Sequence, residues 1–374
     1  MAFGRKNHVK IDPTTYNFML LGEPKIGKTT VMREALEHLV GESYLFAELG
    51  REQGADSIEG INYINCPTWN DDYDEVKNTI GWLDLVDDIY NNPTDYNLKV
   101  LVIDTYDQYI TLAEAEALRL WNRDNPDKRA KSLNGSWNGF GGGSKKAIEL
   151  MFEQIDRLNE VGVKVWWVGH VKNKSVTDIA TGESYEVLSS DQQQNYFNAL
   201  KKNLHFLGLA YIDREIVKEK TGRKDIKGKD IVKNAVAEES RKIKFRDDSY
   251  VVDCGTRFKD IIDTIDLDPI QLIDAMTNAI KAEQSKSGKS FEETKKEQEL
   301  ADAKRMKEIA ETEKAKKEQK SVDEIMEKVL DYIKTNKTKT SVIKPIVEKC
   351  KEAGVKPTEV TDLKLAKELL AMIE

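Results

Sequence analysis

"LLGEPKIGKTTVM", Leu20–Met32, decides how the rest of the chain is read. It starts in the apolar run "YNFMLLG" (16–22), whose length and composition predict a buried strand. It ends in "TTVMREALEHLV", where Val31, Ala35, Leu36, Leu39 and Val40 recur at helical spacing until Gly41 stops the helix. Between strand and helix stands the pattern G-x-x-x-x-G-K-[ST] in full: Gly22, then Glu23, Pro24, Lys25 and Ile26, then Gly27, Lys28 and Thr29, with Thr30 following. Glycines let successive backbone N–H groups turn toward phosphate oxygens, and the helix adds its positive N-terminal end. At this spacing Lys28 reaches the β/γ-phosphates and the Thr29 hydroxyl ligates Mg2+. Residues 22–30 are therefore expected to hold a nucleoside triphosphate. The competing explanation is a strand–turn–helix connection that matches by chance.

A second acidic element supports the nucleotide. "LKVLVID" (98–104) predicts a central strand ending in Asp104, where a carboxylate completes the magnesium shell. Many strands end in Asp, so its weight comes from the pairing with the phosphate loop.

Outward from these two strands, short apolar runs alternate with helical patterns. "YLFAEL" and "INYINCPTW" read as strands, Asp71 to Tyr90 as an amphipathic helix, and Asp107 to Trp121 as the next helix. Ala147 to Glu160 reads as a helix, "VKVWWVGH" (163–170) as a buried strand, Gln192 to His205 as a helix and "FLGLAYIDREI" as a strand, with "RKIKF" and "SYVVDC" closing as a hairpin. Apolar, non-alternating strands separated by helices imply a mostly parallel sheet covered on both faces, an α/β fold.

The composition shifts near Lys281. Residues 281–320 are dominated by Lys, Glu, Gln and Ala, which predicts a solvated charged helical tether. Apolar periodicity returns in 321–374, through Ile325, Val329, Leu330 and Ile333 to Leu369, Leu370 and Ile373, which predicts a small domain of about three helices. The expected division is 1–280, 281–320 and 321–374.

With a net charge of -8 over 374 residues, nucleic-acid binding cannot rest on bulk charge and needs a local basic surface. Cys66, Cys254 and Cys350 share no close spacing, and the four histidines form no zinc pattern, which argues against a disulfide framework and a zinc site. No apolar run approaches the roughly 18–20 residues of a membrane span, and "MAFGRKNHVKIDPTT" lacks a signal core. The expectation is a reducing, cytoplasmic location. One local basic surface is the loop 123–146, where Lys128, Arg129, Lys131, Lys145 and Lys146 stand with Trp137 and Phe140 among glycines. Basic loops with aromatics suit single strands, because every base has a stackable face and every phosphate a charge. A lid or a plain connection would have the same composition.

Taken in order, "GEPKIGKTT", Glu52 to Gly60 ("EQGADSIEG"), "INCPTW", "VIDTYDQY", "VWWVGHVK" and "RKIKFRDDSYVVDCGTRF" resemble the phage-encoded RecA-like P-loop ATPases, including the Sak-type proteins of single-strand annealing and recombination. The resemblance covers about residues 15 to 280. Asp104 is followed by Thr105 rather than by the glutamate of AAA+ proteins, which also resembles the RecA-like pattern. The resemblance implies ATP binding and hydrolysis with Mg2+ held by Thr29 and Asp104, single-stranded DNA as a partner, and assembly into rings or filaments. It implies a general base at Glu48 or Glu52, two positions it leaves open, a γ-phosphate sensor at His170, and a basic residue acting on the neighbour's site. For that last role "RKIKFR" offers Arg241, Lys242, Lys244 and Arg246 and leaves the choice open; Lys242 and Lys244 share a strand face, while Arg241 shares the other with Ile243.

The leading expectation is thus a DNA-stimulated ATPase of phage recombination or replication in the host cytoplasm. A nucleotide-switched assembly module with little turnover, and a nucleotide kinase, are the other classes that carry such a loop. The C-terminal helices offer a docking module for a recombination or replication partner.

Overall fold

The structure is a computed structural model that describes residues 8–178, 181–224, 230–247, 252–336 and 340–373. One compact unit ends at Leu300; the second begins at Ala301 and includes Asn92–Thr94.

In chain order the first unit carries β1 (Phe18–Gly22), α1 (Lys28–Val40), β2 (Tyr44–Leu49), β3 (Tyr63–Cys66), α2 (Trp82–Asn91) and α3 (Pro93–Tyr96, shared with the second unit). There follow β4 (Val100–Asp104), α4 (Tyr106–Asp124), α5 (Gly142–Glu160), β5 (Lys164–Thr177), β6 (Ser184–Ser190) and α6 (Gln194–Lys201). It closes with β7 (Phe206–Lys224), β8 (Asp230–Lys244), β9 (Gly255–Thr256), β10 (Thr264–Asp266) and α7 (Pro269–Ser285). The strands lie in the order β10-β8-β7-β1-β5-β4-β2-β3. The run from β7 to β3 is parallel, whereas β8 and β10 are antiparallel.

Every residue of β1, β2 and β4 is buried, as a parallel sheet covered on both faces requires. Successive side chains feed opposite layers. Phe18 and Leu20 join a core with Val31, Met32 and Leu36 of α1 and Leu272, Met276 and Ile280 of α7. Met19 and Leu21 join the other core with Leu85 of α2, Tyr109 and Ala113 of α4, Met151 of α5 and Phe197 of α6. The sheet is therefore fixed from two sides, and the ends of β1, β4 and β2 open on one edge.

Three expectations are corrected. The helix expected over Asp71–Tyr90 starts only at Trp82. Ahead of it the Asp74 carboxylate accepts from the Val76 and Lys77 amides at 3.1 and 3.2 Å, a side-chain turn that competes with helical bonding. The strand expected over Val163–His170 runs on to Thr177 and is returned by β6 in antiparallel register. Of "RKIKF", Arg241–Lys244 end β8, where Ile243 faces Ala210 of β7 and Ile265 of β10 in place of the expected hairpin, whose second arm lies partly outside the described residues. Residues 248–251 lie outside the described residues.

The charged stretch is helical through α8 (Phe291–Thr335), and α9 (Thr340–Glu352) and α10 (Leu363–Leu370) follow. Val322, Met326 and Val329 of α8 pack with Ile346, Cys350, Ala366 and Leu369 into a small core of their own.

Candidate nucleotide site

The loop between β1 and α1 has the backbone its glycines permit. Gly27 holds φ at 110° at the N-cap of α1, a conformation L side chains rarely adopt. The Lys28 ammonium turns back into the loop and donates to the carbonyls of Gly22 and Glu23 at 3.1 and 2.9 Å. Burial pulls its pKa down, against the opposing pull of Asp104, Asp107, Glu52 and Asp191.

Thr29 Oγ1 donates to Asp104 Oδ2 at 2.7 Å, across 75 positions of sequence. β5 lies between the strands that carry these residues, so Gly22 sits opposite His170 and Asp104 opposite Val168. Burial pushes the Asp104 carboxyl up to about 6, with the Thr29 hydroxyl and the Lys28 charge opposing the rise and Glu52 adding to it. A buried carboxylate beside a hydroxyl suits a hard divalent cation. Among the described residues no cluster of three or more His, Cys, Asp or Glu could hold a metal alone. Mg2+ would take Thr29 and Asp104 as ligands and need phosphate oxygens for the rest.

The two candidate bases separate. Glu48, the penultimate residue of β2, lies directly opposite Asp104 and is 2% exposed. Its Oε1 accepts the Ala55 amide at 2.6 Å, and Oε2 has no partner. Burial raises its pKa, and the neighbouring charges of Asp104 and Asp56 raise it further. Glu52 is only half-buried, meets the Thr105 hydroxyl at 3.5 Å, and acts electrostatically on Lys28, Asp104 and His170.

His170 leaves the sheet at the same edge. Its backbone N–H and Nδ1 both meet Asp107 Oδ2, at 3.0 and 2.8 Å. The Gln192 amide spans Asp107 Oδ1 at 3.3 Å and Asp191 Oδ1 at 2.9 Å. The Asp107 bond raises the His170 pKa. Burial pushes Asp107 up, but its bonds from His170 and Asp191 leave it below the usual carboxylate range, while burial and Asp107 push Asp191 up to about 6. Asp107 was not among the residues singled out from sequence, although "VIDTYD" places it one turn beyond Asp104. Asp191 and Gln192 carried no such signal, because the return strand that delivers them was not read.

The loop candidates divide between inside and outside. Trp137 donates its indole N–H to the Ala117 carbonyl at 2.9 Å and packs against Trp121, with Lys146 Nζ 5.6 Å above its ring. Lys128, Arg129, Lys131 and Lys145 are exposed, and Phe140 is fully so. On β8, Lys242 pairs with Asp213 at 2.9 Å and Lys244 with Asp247 at 2.7 Å. Arg241 instead reaches the phosphate loop, donating to the Ile26 carbonyl at 3.1 Å.

A Gly22–Thr29 loop on a parallel sheet, with a strand-end carboxylate against its threonine, defines a P-loop nucleoside-triphosphate protein of α/β class. Residues 14–234 match the AAA domain family, more than half of the chain, and the chain belongs to that family. No curated protein matches it. Among the described residues no helix is long and apolar enough to cross a membrane.

Proposed function

We propose that this chain is a RecA-like ATPase that hydrolyses ATP while acting on single-stranded DNA, in the manner of the phage recombination ATPases its motif order resembles. The observation that carries the reading is the Thr29–Asp104 contact at 2.7 Å, with Lys28, Glu52 and His170 around the same edge of the sheet. Mg2+ at Thr29 and Asp104 would neutralise phosphate charge. Lys28 gives up its loop carbonyls for the phosphates. Glu52, wet enough to meet a water and close enough to feel Lys28, takes the proton of the attacking water. Glu48 is a strut: buried and bonded to the Ala55 amide, it holds the 50–55 turn that carries Glu52. His170, oriented by Asp107, offers its other nitrogen to the γ-phosphate.

The exposed basic edge of the 123–146 loop, with Phe140 projecting from it, supports contact with single strands. Assembly into a ring or filament, Lys242 or Lys244 acting on a neighbouring subunit, and docking of a partner by the C-terminal helices complete the proposal. The test is ATP turnover with and without single-stranded DNA. Stimulation by DNA is expected, with Glu52→Gln retaining ATP affinity but losing turnover and Glu48→Gln keeping most of it. Nucleotide-dependent assembly without turnover, or phosphate transfer to a nucleotide acceptor, would replace this reading.

A further inference from the structure

The γ-phosphate end of the proposed site is marked by Asp104 on β4 and His170 on β5, both to one side of β1, with Thr29 of α1 bonded to Asp104. A triphosphate laid along the loop therefore points its nucleoside the other way, toward β7, β8 and β10. Two side chains wait there. A Cβ at Gly27 would meet Leu267 Cδ2 at 3.4 Å and Arg241 Nη1 at 3.9 Å, so both border the loop at the start of α1. The Leu267 amide donates to the Arg241 carbonyl at 2.8 Å, which ties the pair together through the β8–β10 edge.

We propose that Arg241 and Leu267 form the nucleoside end of the nucleotide site, in the same chain that grips the phosphates. The proposal rests on the ATP reading above and adds the residues that contact ribose and base. Arg241 is exposed, and its bond to the Ile26 carbonyl uses Nη1, which leaves Nε and Nη2 as donors for a ligand. A planar guanidinium stacks on a purine and donates to ribose or base acceptors, and a leucine supplies the apolar contact a base needs. Alternation along β8 sets the roles: Lys242 and Lys244 point to the opposite face and bind Asp213 and Asp247, whereas Arg241 shares the face of buried Ile243, against the core that contains α1.

The test compares binding of ATP, ADP and inorganic triphosphate by the full chain, its Arg241→Ala and Leu267→Ala variants, and Lys28→Ala, with thermal unfolding checking each fold. Arg241→Ala should weaken ATP and ADP about tenfold or more, as loss of a charged hydrogen bond does. It should leave inorganic triphosphate unchanged. Leu267→Ala should weaken the nucleotides in the same selective way. Lys28→Ala should weaken all three ligands. If ATP affinity survives both Arg241→Ala and Leu267→Ala while Lys28→Ala abolishes it, the loop reading stands and the nucleoside assignment falls. Equal loss of ATP and inorganic triphosphate in Arg241→Ala would make the arginine a phosphate anchor and overturn the assignment. Failure of the parent chain to bind either ligand would remove both readings.

Discussion

Asp107 decides which nitrogen of His170 is free. An ionised carboxylate only accepts, so the 2.8 Å contact fixes the hydrogen on Nδ1 and leaves Nε2 for a second partner. The groups that face the imidazole are Asp107 and Glu52, which favour its charged form, and Lys28, which with burial opposes it. The balance raises the His170 pKa above 6.5. A raised histidine adds stability that is fully present below the unfolded value and is lost as pH climbs through the folded midpoint. NMR titration of the imidazole should therefore place its midpoint above 6.5, and Asp107→Asn should move it down. An unchanged midpoint would show that Asp107 does not orient the ring. The phosphate loop was legible residue by residue because its chemistry is local, nine consecutive positions with fixed duties. The choice between Glu48 and Glu52 was not, because both are acids near a strand end; the proposed choice of Glu52 rests on the burial of Glu48 and its bond from the Ala55 amide.

At the scale of elements, the turn before α5 shows how a loop presents a side chain. Trp137, Asn138, Gly139, Phe140 and Gly141 all have positive φ, in succession. A Cβ at Gly142 would stand 2.0 Å from the Trp137 carbonyl, so the turn is closely fitted against the helix start. Within it Phe140 is held at φ 48° with its ring fully in water, an arrangement that burial does not reward. Left-handed backbone costs a non-glycine residue roughly 1–2 kcal/mol, and glycine escapes that cost at some loss of chain entropy. Phe140→Gly should therefore leave stability unchanged or raise it by up to about 1 kcal/mol in urea unfolding. The same variant should weaken single-stranded DNA binding by about 1–3 kcal/mol, the worth of one stacked base. Unaltered DNA affinity would remove Phe140 from the proposed DNA contact. Trp137→Phe should act in the opposite sense, lowering stability through the lost Ala117 bond. Composition identified this loop, but it could not say which aromatic faces inward, because the partner of Trp137 lies 20 residues away on α4. The same limit explains the missed β6: its outer residues are polar, and only the register with β5 makes them a strand.

For the whole molecule, the parallel core was readable because each central strand is an uninterrupted apolar run, while the long β7–β8 ladder was only half readable because "REIVKEKTGRK" has no apolar face to announce it. The end of the first unit was harder still. Composition places a boundary near 280, where large apolar residues stop, yet the compact unit continues to Leu300. Two contacts account for the difference. Gln284 is buried at the end of α7 and donates to Thr294 Oγ1 at 2.8 Å, joining it to the first turn of α8. One turn further, Gln298 clamps the N-terminal segment from both sides, accepting the Ile11 amide at 2.7 Å and donating to the Val9 carbonyl at 2.8 Å. Hydrogen bonds of this kind contribute roughly 1 kcal/mol each, and a buried donor or acceptor left without its partner costs about 1–3 kcal/mol. A chain ended after Leu300 should therefore keep the ATP affinity of the full chain, whereas one ended after Ile280 should unfold at lower urea, less stable by about 2–4 kcal/mol. Gln298→Ala in the full chain should reproduce part of that loss in the transition of the nucleotide-binding unit. Equal urea midpoints for the two shortened chains would place the boundary at the composition shift and leave the Gln298 clamp without a role in stability.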